Sequence, residues 1–133
     1  MRNIIKFCTI ITICLLFVNK ASANVDLTIE SLTTANEYGT TYSGSEYLQG
    51  TLEIGISTDA DISGIIMGVS SYYSYSLGLP YGGLVEELDW YMSSISGNTV
   101  IGYHYMFPQD YFIPAGTTNE TLMYLPILIF LDN

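Results

Sequence analysis

After Lys20 the chain contains no lysine, no arginine and no cysteine, while all thirteen of its acidic residues lie beyond that point. This one-sided inventory removes most of the devices that small domains use for stability. Residues 24–133 can form no disulfide and no ion pair between a carboxylate and a lysine or arginine. The carboxylates can only repel one another, accept hydrogen bonds or bind cations. Stability must therefore come from apolar burial and from backbone pairing. Partners are restricted in the same way. With no basic side chain to neutralise phosphates, the composition argues against nucleic acid and against an anionic membrane surface.

The three basic residues and both cysteines belong to one leading segment. Arg2 and Lys6 form a basic start, and residues 4–18 are apolar apart from Lys6, threonines, Cys8 and Cys14. Lys20 and the small-x-small run Ala21-Ser22-Ala23 follow. This order predicts a secretory signal over residues 1–23 with cleavage near Ala23. The apolar run falls short of the ~20 residues that a spanning helix needs. Residues 24–133 are then read as a single exported domain, located outside the cell, on its surface or in a periplasm. A domain of that size buries roughly two-thirds of its surface, which is enough for one core.

The remaining chain alternates with a period of two. Val25, Leu27 and Ile29 fall on one face of a strand, with Asp26, Thr28 and Glu30 on the other. Leu52, Ile54 and Ile56 repeat the pattern after a Thr-, Gly- and Ser-rich loop or short hairpin. Residues 58–61 read as a turn, and 62–70 as a strand whose glycines signal a bulge or a close approach. Residues 71–83 form a tyrosine-rich connection punctuated by Pro and Gly. Leu84, Leu88 and Tyr91 fall near helical spacing, so a helical turn near 84–88 is expected, followed by a strand over 89–93. Gly97-Asn98 is a turn, 99–107 a strand, 111–116 a short strand, and 121–131 one or two strands around Pro126. Short strands at near-regular spacing predict an all-β sandwich or barrel. Ile62–Met67 and Val100–Tyr105 also echo each other as β-branched, x, Gly, apolar, x, apolar.

Several stretches, taken in order, resemble the cohesin-like domains of secreted bacterial proteins. Gly50-Thr51-Leu52-Glu53-Ile54 resembles a "GTLEI" element, and residues 62–67 a strand of the form Val/Ile-x-Gly-Phe-x-Phe with Ile65 and Met67 in place of the aromatics. Gly82-Gly83 precedes the helical turn. Residues 98–105 match "NTVLGFSF" with tyrosine as both aromatics, and Ile113-Pro114-Ala115-Gly116 matches the start of "IPAGSG". The second glycine of that element is absent, and the gap before Ile113 is long. The resemblance implies an antiparallel β-sandwich of jelly-roll type, in a fold group shared with several carbohydrate-binding modules. It carries the fold and not the partner.

Candidates for chemistry are few. Alternation puts Ile101, Tyr103, Tyr105 and Phe107 on one face. The resemblance implies that this face is buried, so His104, the only histidine, is expected to point outward. It lacks a second histidine for zinc, a cysteine, and a Gly-x-Ser-x-Gly nucleophile. Carboxylate pairs suited to glycoside hydrolysis, Asp59 with Asp61 or Glu86 with Asp89, have no basic or polar groups converging on them in sequence. Calcium is the better use for Asp59 and Asp61, with Glu86, Glu87 and Asp89 as a second acidic cluster, although neither matches an EF-hand. Solvated acidic turns are the competing reading. Tyr72, Tyr73, Tyr75 and Tyr81 crowd one connection, where exposed rings could stack on sugars or anchor a protein, and Trp90 could join them. Half-buried strand tyrosines are the plainer alternative.

The expected function is therefore a secreted, non-enzymatic binding module for an extracellular or cell-surface protein. A carbohydrate-binding module that uses residues 71–81 is the second reading. A subunit that self-associates through an edge strand at either end of the chain is the third.

Overall fold

The computed structural model describes residues 9–18, 23–34, 39–40, 46–71, 73–95, 97–107 and 109–130. The elements are β1 (Thr9–Val18), β2 (Val25–Thr34), β3 (Gly39–Thr40), β4 (Glu46–Thr58), β5 (Ile62–Ser71), β6 (Ser74–Leu77), α1 (Gly83–Glu87), β7 (Tyr91–Ile95), β8 (Thr99–Tyr103) and β9 (Glu120–Phe130). They form two antiparallel sheets, in the orders β1-β5-β8-β7 and β2-β4-β9-β6, with β3 added to β4. The fold is all-β, as expected, with one short helix. No helix among the described residues is long and apolar enough to cross a membrane.

The core lies between the sheets and comes from their alternating faces. Leu52, Ile54 and Ile56 of β4 meet Ile65 and Met67 of β5 and Leu125 and Ile127 of β9, all essentially inaccessible to water. Val25, Leu27 and Ile29 of β2 cover the edge of this core. A bulge between Ile29 and Ser31 advances the phase, so that Leu32 also turns inward. Fully burying each such side chain stabilises the fold by about 1.5–3 kcal/mol.

Several boundaries differ from the sequence reading, for tertiary reasons. β4 begins at Glu46, because β3 and the end of β9 pair with residues read as loop or short hairpin, and the antiparallel β3–β4 pair is the hairpin alternative. Residues 74–77, read as connection, form β6 by pairing with β9. The strand read at 111–116 is reduced to a bridge between Ile113 and Ile62, with N–H to O distances of 2.8 and 2.9 Å. β9 is one strand through Pro126. The carbonyl of Pro126 accepts from Gly78 N at 2.8 Å, just past the end of β6. Its missing N–H therefore falls where the ladder has stopped. β9 lies between β4 and β6, so the C-terminal strand is interior and not the edge expected of it.

The strand read over 99–107 departs most. β8 ends at Tyr103, and its buried residues are Val100 and Gly102. The aromatic face is thus the outer one. Tyr103 is half-buried, and Tyr105 and Phe107 are exposed. Gly102 sits under Met92, where a Cβ would lie 2.6 Å from Sδ and 3.3 Å from Trp90 Cε3. Trp90 and Met92 fill the volume that an inward aromatic of β8 would have taken.

Candidate functional site

A groove of about 720 Å³ opens beside α1. Gly82 and Gly83 set up its first wall. Both have positive φ, 67° and 62°, and a Cβ on Gly83 would lie 2.6 Å from Thr121 O. Only glycine lets α1 dock this closely on β9. Docking buries Val85 and leaves Glu86 and Asp89 lining the groove. The helix ends through Asp89, at φ 54°, and Trp90 N donates to Val85 O at 2.9 Å.

Trp90 is the floor, with 6% of its surface exposed. Its indole N–H donates to Tyr111 O at 2.8 Å, which ties the floor to the segment after β8. That segment is organised by His104. Its Nδ1 accepts from Phe107 N at 2.9 Å, and its ring stacks on Tyr111 at 4.0 Å and 9°. His104 is half-buried at the rim and does not stand outward from a strand as expected. The ring folds the turn that carries Tyr105 and Met106 to the groove. The opposite lip is Leu79, Pro80 and Tyr81. Tyr81 exchanges both backbone hydrogen bonds with Tyr124, at 3.0 and 2.7 Å, and stacks on its ring at 5.6 Å.

Five large apolar side chains around this groove are exposed: Leu79, Tyr81, Tyr91, Met106 at 66% and Tyr105 at 77%. Such a cluster on a small domain is the usual mark of a contact surface. Glu86 and Asp89 come from a single turn, with Asp89 N bonded to Glu86 O. Two carboxylates on one wall suit recognition of a cation or a hydroxyl better than acid–base attack across a cleft.

The tyrosines singled out in sequence separate here. Tyr81 lines the groove. Tyr73 and Tyr75 pack against the core, and the Tyr75 hydroxyl donates to the Val69 carbonyl. Burial pushes the Tyr75 phenol above its ordinary pKa of 10.0. Tyr72 lies outside the described residues. Asp59 and Asp61 also serve separate contacts. Asp59 Oδ1 accepts from Asn24 N at 2.8 Å, and Asp61 Oδ1 accepts from Ala115 N at 2.8 Å, fastening the Ile113–Gly116 turn. Among the described residues, no group of three or more His, Cys, Asp or Glu side chains stands together as a metal site would require.

Sequence reasoning missed Leu79, Tyr91, Tyr105 and Met106 as site residues. Alternation places Tyr105 on the expected core face, and the others carry no local signal. No family model matches this chain, and neither a curated protein nor a solved structure matches it.

Proposed function

We propose that this chain is a secreted binding module that holds a basic, apolar-anchored segment of an extracellular protein in the groove beside α1. The observation that carries this reading is the ring of exposed Leu79, Tyr81, Tyr91, Tyr105 and Met106 over a fixed Trp90 floor. Aromatic anchors on a rigid, dry base are the usual composition of interface hot spots. Charge chooses the occupant. Glu86 and Asp89 flank the apolar ring, and no lysine or arginine follows Lys20. A segment carrying Lys or Arg beside an aliphatic or aromatic anchor complements both features. Export through cleavage near Ala23 and a cohesin-like lineage belong to the same proposal, supported by the leading segment and by the ordered "GTLEI", "NTVIGYHY" and "IPAG" stretches. The module works by binding and not by catalysis.

A random-peptide display library panned on the exported protein tests this, with Tyr105→Ala and Tyr81→Ala as counter-selectors. Enrichment of basic peptides with one apolar anchor, lost on both variants, is the expected result. No enrichment, or peptides indifferent to both substitutions, would overturn it. The glycan reading draws on one observation, that exposed Tyr81 and Tyr105 rings stand beside carboxylate acceptors. Polysaccharide retention abolished by the same two substitutions would favour it instead.

A further inference from the structure

We infer that cleavage of the leading segment uncovers a strand-pairing edge on β5, and that this edge is occupied by β5 of a second copy. The inference rests on the proposed processing near Ala23. β1 is the outermost strand of its sheet and pairs with β5 along nearly its whole length, from Thr9↔Ser71 to Val18↔Ile62. Cleavage removes that strand. Val69 N donates toward β8, to Asn98 O at 3.1 Å. By alternation, the N–H and C=O groups of Ile66 and Gly68 face the position that β1 held. They are left as a row of unpaired backbone groups, a ready template for another strand.

The other edges are protected and β5 is not. β2 carries Asp26 and Glu30 and is broken by a bulge. β6 has four residues and β7 has five. β5 has ten residues, ISGIIMGVSS, with no charge and no proline. Of the long strands left after cleavage, only β5 lacks the carboxylates that make copies repel one another, since β2, β4 and β9 each carry at least one. An antiparallel pair of identical strands about a two-fold axis is self-complementary and closes as a dimer. It joins the two three-stranded sheets into one. Before processing, β1 caps the edge within the same chain and keeps copies apart.

The full chain is expressed with its leader, the exported protein is recovered, and its N-terminus is read by mass spectrometry. Sedimentation velocity and amide hydrogen exchange are then measured over a hundredfold range of concentration. The expected result is a product beginning at Asn24 that dimerises, with Ile66 and Gly68 amides more protected in the dimer. Ile66→Lys places two like charges at the seam of the paired strands, on the half-buried outer face, and is expected to give a monomer with an unchanged circular dichroism spectrum. If that variant does not fold, the wild-type exchange pattern decides alone. A retained leader overturns the inference, because β1 keeps the edge. A processed monomer with fast-exchanging Ile66 and Gly68 amides overturns it, as does a dimer whose β5 amides are indifferent to concentration. None of these outcomes depends on the groove or its peptide.

Discussion

Asn24 and Asp59 hold each other through both main chain and side chain. Asn24 N donates to Asp59 Oδ1 at 2.8 Å, Asn24 Nδ2 donates to Oδ2 at 3.3 Å, and Asp59 N returns a bond to Asn24 O at 3.1 Å. Cleavage after Ala23 would turn that main-chain nitrogen into an α-ammonium, in a domain that otherwise lacks Lys and Arg. The pair is solvent-exposed, so Asp59→Asn is expected to cost about 0.5–1 kcal/mol in the processed protein. The loss should shrink in high salt. Thermal melts at low and high ionic strength check this, and a salt-independent loss would count against an ammonium at that position.

Gly83 and Gly116 both have positive φ, 62° and 89°, yet they should respond differently to alanine. At Gly116 nothing lies within 4 Å of an added Cβ, so only backbone strain remains, about 1 kcal/mol. At Gly83 the Cβ meets Thr121 O and the Leu122 backbone at 2.6–2.7 Å, atoms that cannot rotate away. Gly83→Ala is expected to cost more than about 2 kcal/mol and to weaken groove binding, because α1 must lift from β9. Denaturant titration of both variants gives the comparison. Equal losses would refute the docking argument.

Tyr75 predicts an alkaline loss of stability. Burial disfavours its phenolate, so the folded state holds this proton above the pH at which the unfolded chain releases it. The contribution is complete below pH 10.0 and disappears as pH rises through the higher folded value. Tyr75→Phe removes the hydrogen bond to Val69 O, costing about 1 kcal/mol near neutrality. The variant should also show a flatter decline above pH 10. Melting temperatures from pH 8 to 11 test this, and parallel curves for the two proteins would contradict it.

Groove binding and folding separate at particular residues. Tyr105, 77% exposed, contributes little to the core, so Tyr105→Ala should change stability by less than about 0.5 kcal/mol while weakening ligand capture. Trp90→Ala should lose both, with about 3–5 kcal/mol of destabilisation. Paired melting and binding measurements distinguish them. Full binding by the Tyr105 variant would remove the groove as the recognition surface.

Millimolar Ca²⁺ is expected to leave the melting temperature unchanged. Asp59 and Asp61 accept from Asn24 and Ala115 respectively and serve different contacts. A shift seen with Ca²⁺ but not Mg²⁺, and lost in the Asp59→Asn, Asp61→Asn double variant, would establish a site.

Much of the fold was legible because it is written with a short period. Residues 25–30 of β2 and 52–56 of β4 alternate apolar with polar or small residues, so Val25, Leu27, Ile29, Leu52, Ile54 and Ile56 were readable one by one, whereas Leu32 lies beyond the bulge that resets the phase of β2. The Gly82-Gly83 pair and the apolar spacing after it marked α1. The phase of β8 was not legible, because Ile101 and Tyr103 are as apolar as anything on its other face. What decided it was Trp90 and Met92 arriving over Gly102 from the preceding strand. The groove was hidden for the same reason. Its walls come from residues 79–81, 85–86, 89–92 and 104–106, and only chain reversal through β7 and β8 brings the last of these back beside residues 89–92.

Composition settled that residues 24–133 can form among themselves no disulfide and no Lys or Arg ion pair, and periodicity settled that they are built from strands, since both follow from residue type and near neighbours alone. Which strands are edges, which aromatics face water and what His104 does were decided by packing. Those properties depend on contacts between residues far apart in the chain, and no local pattern records them. His104 stacks on Tyr111 and bonds to Phe107 N because the chain turns after Tyr103. An isolated strand would have left it in solvent.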